Sequence, residues 1–220
     1  MNTKQTIAII GATGNMGSVI ARSLAKGNNR LLLLANSQDK IEILIDGIKN
    51  DHLSADIDAF ECAAEAAWEA DVIILAVPYA AEKEIAAKIK EKANQKIIIS
   101  IANPLNETYT GLTTSPDSSA AEELQKLLPN SKVIKAFNTT FAADFTTPVI
   151  NGKQVDALLA GNDAEALEIV SGLVETAGFN PIIAGELPVS RTLENMALLL
   201  ISLTMKYNYN WLAGFKILHN

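Results

Sequence analysis

Short runs of apolar residues recur along this chain, each followed by a stretch in which apolar positions return every three or four residues. The runs predict strands at 6–10, 31–35, 57–60, 72–77, 97–101, 133–137, 157–160 and 180–184. Several of them, such as Leu31-Leu32-Leu33-Leu34 and Val72-Ile73-Ile74-Leu75, are continuous rather than alternating. A strand of that kind is covered on both faces, as in a parallel sheet. The intervening periodic stretches predict helices at 15–26, 39–48, 62–69, 80–92, 118–128 and 163–177. Strand and helix in alternation predict a doubly wound α/β fold with a mostly parallel sheet.

Two segments break the rhythm. Residues 103–117 form a long connection rich in Pro, Asn, Thr and Ser, and long connections in compact domains are often functional. Residues 188–211 predict one long helix with an apolar face through Leu193, Met196, Leu200 and Leu203. No linker, repeat or low-complexity tract sets this tail apart, so residues 1–220 are expected to form a single domain with a C-terminal helical tail packed on the sheet.

The first strand runs directly into Gly11-Ala12-Thr13-Gly14-Asn15-Met16-Gly17, which opens the first helix. Gly11 and Gly14 allow backbone angles and a close approach that a Cβ would block, and Gly17 lets the helix lie tight on the strand. The helix N-terminus then presents its N–H groups to a pyrophosphate. Strand, motif and helix in that order identify a Rossmann-type dinucleotide loop rather than a plain tight turn. The second strand ends Ala35-Asn36-Ser37-Gln38, without the carboxylate that NAD-binding chains use to hold the ribose hydroxyls. Asn36 and Ser37 can donate to a 2′-phosphate and Lys40 can supply charge, which favours NADP; the alternative is a polar turn that caps the next helix.

These features, together with Val77-Pro78-Tyr79, Asn103-Pro104-Leu105, Lys135-Ala136-Phe137-Asn138-Thr139 and a tail from Gly185 through Ser190-Arg191 and Glu194 to Leu218, occur in a familiar order. Across nearly its whole length the chain resembles the NADPH-dependent reductases of the deazaflavin coenzyme F420, whose relatives include the cytosolic domain of metalloreductases. The resemblance implies that Thr13, Gly14, Asn15 and Met16 cradle the pyrophosphate and that Asn36, Ser37 and Lys40 hold the 2′-phosphate. It implies that Val77 and Pro78 border the nicotinamide half and that Ala136 and Asn138 sit beside the nicotinamide. The tail helix near Arg191 and Leu203 would wall the acceptor pocket. The implied cofactor is NADP(H), with F420 or a flavin as the hydride acceptor. Gln38 stands where family members commonly carry Arg, so a bidentate fork to the phosphate is missing.

Hydride transfer between a nicotinamide and a flavin-like ring needs alignment of two rings more than acid–base catalysis, so no catalytic side chain is expected. The rival readings are an imine or carbonyl reductase of the pyrroline-carboxylate type and a sensor that binds NADP without turnover. The first needs a substantial helical C-terminal dimerisation domain, and only about one long helix remains here.

Composition narrows the field. The balance of 49% hydrophobic and 20% charged residues is that of a globular protein. A net charge of −7 with no basic stretch argues against a nucleic-acid partner. The single Cys62 allows no internal disulfide, and no signal segment precedes the first strand, so a cytoplasmic address is expected. No apolar run approaches the roughly 20 residues that span a bilayer, and two histidines cannot build a His-rich metal site. The expected partner is a small-molecule redox acceptor, and a homodimer is expected.

Three features are read as bland, and a fourth stays open. Tyr79 and Lys83 have the Tyr-x-x-x-Lys spacing of short-chain dehydrogenases but no partner serine upstream, which leaves a surface tyrosine one helical turn from a lysine. Cys62 reads as a small buried hydrophobe. Asp163, Glu165 and Glu168 read as a helix start. Asn138, at the end of a buried strand, is either a ligand contact or a loop cap.

Overall fold

The computed structural model describes residues 4–219. Its strands are β1 (Gln5–Ile10), β2 (Asn29–Leu34), β3 (Asp56–Ala59), β4 (Val72–Leu75), β5 (Ile97–Ser100), β6 (Lys132–Lys135), β7 (Val149–Ile150), β8 (Lys153–Gln154), β9 (Asp156–Gly161) and β10 (Asn180–Gly185). Its helices are α1 (Asn15–Leu24), α2 (Gln38–Asp51), α3 (Ala63–Glu69), α4 (Tyr79–Ile89), α5 (Ala120–Leu127), α6 (Ala164–Thr176) and α7 (Ser190–Tyr207).

The main sheet has eight strands in the order β10-β9-β6-β5-β4-β1-β2-β3. From β3 to β6 every pair is parallel, and β9 joins β6 antiparallel. Because successive side chains on a strand point to opposite faces, one apolar run fills two cores. Ile7, Ile9, Leu31 and Leu33 pack with α1, α2 and α6, whereas Ala8, Ile10, Leu32 and Leu34 pack with α3, α4 and α5. That division explains why the runs are continuous. The chain order reverses between β1 and β4, and open α/β sheets bind ligands beyond the carboxyl ends of the strands at such a point.

The tail differs from expectation at both ends. A short 3₁₀ turn, Leu187–Val189, precedes α7, and α7 stops at Tyr207 because Asn208 takes the left-handed conformation with φ 54°. Ser190, Leu193, Glu194, Ala197, Leu200, Ile201 and Thr204 form its buried stripe, and Leu203 is half-buried. Beyond the helix, Phe215 bridges to Asp156, whose carboxylate accepts from Lys216 Nζ and the Ile217 N–H at 2.6 Å each. A β7–β8 hairpin also stands where no strand was expected; its turn is Asn151-Gly152, both at positive φ.

Candidate active site

The loop after β1 is built by close backbone packing. Gly11 has φ +89°, and a Cβ there would lie 2.3 Å from the Ala76 carbonyl oxygen at the end of β4. A Cβ on Gly17 would lie 2.2 Å from the Gly11 oxygen, so α1 can approach the strand this closely only with glycine. The Gly11 and Ala12 N–H groups donate to the Leu34 carbonyl at 2.8 and 2.9 Å and lock the loop to β2. Gly14 is different. It is exposed, at φ −71° and ψ 170°, and precedes α1 without a side-chain cap or an acidic residue in the first turn. The leading N–H groups of a helix have no partner within it. Here they form an electropositive cradle, which fits a pyrophosphate.

A cleft of about 770 Å³ opens from this cradle, lined by Gly11, Thr13 and Gly14, by Asn36, Ser37 and Lys40 after β2, and by Val77 and Pro78 after β4. The structure thus brings together eight of the residues singled out in the sequence. Ser37 occupies the cap position of α2 without a side-chain cap hydrogen bond, so its hydroxyl is not used as a helix cap. The cleft also takes in residues that sequence reasoning missed. Glu61, Cys62 and Ala63 enter from the end of β3, and Ala81, Glu84, Ile85 and Lys88 from α4. Lys88 pairs with Glu84 at 2.6 Å. Only the fold could reveal them, since they come from a separate turn and from the flank of a separate helix. Cys62 is therefore not a buried hydrophobe: it is exposed at the mouth of the cleft, where the chain turns from β3 into α3.

Asn15, Met16, Ala136 and Asn138 fall outside this cleft lining. Asn15 is exposed at the first position of α1 and Met16 packs partly against the core. Ala136 is wholly buried. Phe137 beside it sits at φ +59°, an outlier for a bulky residue, inside an aromatic cluster with Phe145 and Phe179 at centroid distances of 5.7 and 6.5 Å. This left-handed step turns the chain away from β6, and it is at such sites that backbone strain concentrates. Asn138 is buried, and its Nδ2 donates to Asn103 Oδ1 at 3.0 Å and to the Leu193 carbonyl at 2.9 Å. Asn103 Nδ2 returns a bond to the Asn138 carbonyl at 2.9 Å. Asn138 Oδ1 has no hydrogen-bond partner among the described residues. Asn103 begins the long 103–117 connection, which is not structureless: Leu105 bridges Leu112, and the Thr113 N–H donates to the Pro104 carbonyl at 2.7 Å.

Charged groups lie buried beneath this end of the sheet. Lys135 and Glu194 are both fully buried and pair at 2.7 Å. Glu82 is 3% exposed. Its burial pushes the carboxyl from 4.5 up to about 7, against the opposing pull of Lys135 and the Ser100 hydroxyl; Glu194 and Glu123 push it further up. Tyr79 is not a surface residue but is half-buried, its hydroxyl donating to Glu123 Oε2, and burial together with that bond raises its pKa. Arg191 grips Glu122 with two bonds at 2.6 and 2.8 Å. Asp163 caps α6 by accepting from the Ala166 N–H at 2.8 Å, as its acidic run suggested.

Residues 6–104 match the family model described as NADP oxidoreductase coenzyme F420-dependent. The F420-dependent NADP reductase of Methanocaldococcus jannaschii is 36% identical over 91% of this chain and 93% of that protein. The chain belongs to the coenzyme F420-dependent NADP oxidoreductases. The enzyme of the same name from Methanothermobacter marburgensis is 30% identical over 91% of this chain and 92% of its own length. Among solved structures, a candidate F420-dependent NADP reductase from Arthrobacter sp. FB24 superposes with a TM-score of 0.82 at 24% identity, covering 98% of this chain and 100% of that one. An imine reductase of Myxococcus stipitatus shares the fold at a TM-score of 0.67 and 13% identity, and this chain spans 64% of its length. This F420-dependent NADP oxidoreductase is therefore an NADP-linked redox enzyme, and no helix among its described residues is long and apolar enough to cross a membrane.

Proposed function

We propose that this oxidoreductase transfers hydride between NADP(H) and coenzyme F420. The observation that carries the reading is the uncapped, acid-free start of α1 opening into the cleft, in a chain whose relatives of nearly equal length are F420-dependent NADP reductases. Bound NADPH supplies the hydride. Thr13, Gly14, Asn15 and Met16 surround the pyrophosphate, chiefly through backbone amides. Asn36, Ser37 and Lys40 hold the 2′-phosphate. Val77 and Pro78 border the nicotinamide half, Ala136 contributes backbone beside it, and the unpartnered Asn138 Oδ1 can accept from its carboxamide. No side chain need exchange a proton with the carbon that receives hydride, so the work of the protein is alignment and exclusion of water.

The chain acts in the cytoplasm as one domain over residues 1–220, and as a homodimer. Exposed Leu199, Met205, Tyr207 and Trp211 on α7 and the residues after it supply an apolar surface suited to a second copy; sedimentation giving a monomer at all concentrations would reject the dimer.

The test is anaerobic NADPH oxidation with F420 and, separately, FMN. NADPH at a hundredfold excess over its Kd should stabilise the fold by about 2.7 kcal/mol, and F420 should be reduced with a turnover of roughly 1–10³ per second. Faster reduction of FMN than of F420 would reassign the acceptor to a flavin. Tight NADPH binding without turnover of either would make the protein a sensor.

Cofactor choice gives a separate prediction. Wild type should bind NADPH more tightly than NADH, and Asn36→Asp should shift that ratio towards NADH by roughly tenfold or more. A carboxylate there accepts from ribose hydroxyls and repels a phosphate of roughly −1.5 to −2 charge. Paired titrations check it; a ratio unmoved by the substitution would return Asn36 to the status of a turn residue.

A further inference from the structure

Glu194 is the point at which four segments meet, and each of its oxygens is used. Oε1 accepts from Lys135 Nζ at 2.7 Å, and Oε2 accepts from the Ala120 N–H at the start of α5 at 3.1 Å. Lys135 Nζ also donates to the Ala102 carbonyl, just beyond β5. One residue before Glu194, the Leu193 carbonyl accepts from Asn138. One turn earlier, Arg191 holds Glu122 on α5. All these bonds lie at the carboxyl ends of β5 and β6, where the nicotinamide half and the acceptor are placed.

Holding a helix against a sheet does not require buried charge. Apolar side chains of similar volume stabilise as well or better, because desolvation cancels much of the attraction within a buried ion pair. What the pair adds is direction. Lys135 lies on β6 next to Ala136, and it fixes the height of α7 along the strand through a bond of defined length and angle. An apolar contact would let the helix slide. The same helix supplies the carbonyl that orients Asn138, so its placement governs where the free Oδ1 points.

We propose that Lys135 and Glu194 are positioning residues: their buried ion pair sets the register of α7 against the end of β6 and so fixes how the α7 wall of the acceptor pocket stands against the nicotinamide site at Asn138. This inference rests on the hydride-transfer reading above, which places the nicotinamide beside Asn138 and requires the acceptor against it.

The experiment compares wild type with Lys135→Met, Glu194→Leu and the double variant. Each single change strands one partner or leaves a gap, and it should lower the denaturation midpoint sharply. The apolar pair should recover most of that loss but stay below wild type, because the Ala120 N–H and the Ala102 carbonyl lose their partners. In that double variant the KM for F420 should rise roughly tenfold or more, while the Kd for NADPH, held chiefly through its phosphates far from Asn138, should change by about threefold at most, since small misplacements away from the chemistry are costly mainly to alignment. Glu194→Gln, which keeps the shape and one acceptor, should show the same split and provides a second folded variant. A stable double variant with wild-type KM would overturn the proposal. Should wild type reduce neither F420 nor FMN, the function assignment falls and amide exchange decides the positioning role by itself. Faster exchange confined to residues 139–141 of the stable double variant supports it, and unchanged exchange there rejects it.

Discussion

Gly14→Val is expected to fold as wild type does and to bind NADPH at least a hundredfold more weakly, whereas Gly11→Ala is expected to lose much of its folding stability. The two glycines belong to one motif but meet different constraints. At Gly11 the backbone stands at φ +89° and an added Cβ would lie 2.3 Å from the carbonyl oxygen of Ala76, just past β4, so even a methyl group pushes on the end of a central strand. The left-handed conformation alone costs about 1–2 kcal/mol, and overpacking adds about 1–3 kcal/mol, a large part of a typical folding free energy. At Gly14 the backbone is extended, φ −71° and ψ 170°, which valine adopts readily. Its nearest neighbour is the Gly11 oxygen at 3.2 Å, a contact that a shift of a few tenths of an ångström relieves. The side chain then occupies the approach to the α1 N-terminus, where the pyrophosphate must sit, and a hundredfold loss corresponds to about 2.7 kcal/mol. Chemical denaturation and NADPH titration of both variants check the contrast. A folded Gly14→Val protein with wild-type NADPH affinity would remove the cradle from α1.

Glu82→Gln is expected to stabilise the protein above neutral pH and to leave it unchanged near pH 4. Burial is the main reason that the Glu82 carboxyl titrates at about 7 rather than 4.5. Below 4.5 it is protonated in the folded and unfolded states alike, so it imposes no cost. As pH rises from 4.5 towards 7 the unfolded chain ionises there and the folded one does not, so stability falls. The loss levels off above 7 at about 3 kcal/mol, from 1.36 kcal/mol for each pH unit between the two values. Glutamine removes this dependence and can still accept from the Ser100 hydroxyl, which approaches Glu82 Oε1 at 3.4 Å. The measurement is the difference in unfolding free energy between variant and wild type from pH 4 to 8. A flat difference across that range would show that Glu82 titrates alike in the folded and unfolded chains, so that its burial raises nothing.

The parts of the site that were legible in the sequence all depend on contiguous chemistry. Gly11, Thr13 and Gly14 occur in one turn, and Asn36, Ser37 and Lys40 in another. Each turn follows an apolar strand whose C-terminal end can be located to within a residue or two, so the turns fall on one edge of the sheet without further information. Where the reading failed, the signal was absent or local propensity was overruled. Cys62 looked like a core residue by type, but its position at the turn into α3 put it at the mouth of the cleft. Tyr79 looked exposed because its partner, Glu123, lies 44 residues away on α5. The Asn151-Gly152 turn was a readable hairpin signal, but its flanking strands are two residues long, too short for any period to register.

By itself the sequence determined the alternation of strand and helix, the parallel sheet, the dinucleotide loop and the family, because burial on both faces and backbone freedom at glycine leave their mark residue by residue. Only the tertiary structure decided that Lys135, Glu194 and Glu82 are buried together, that Phe137 takes a left-handed turn, and that α7 ends at Tyr207. Burying a charge is unfavourable for any one segment considered alone and becomes tolerable only when distant segments bring the opposite charge and the hydrogen bonds. Such pairings are properties of the assembled sheet ends and leave no pattern along the chain.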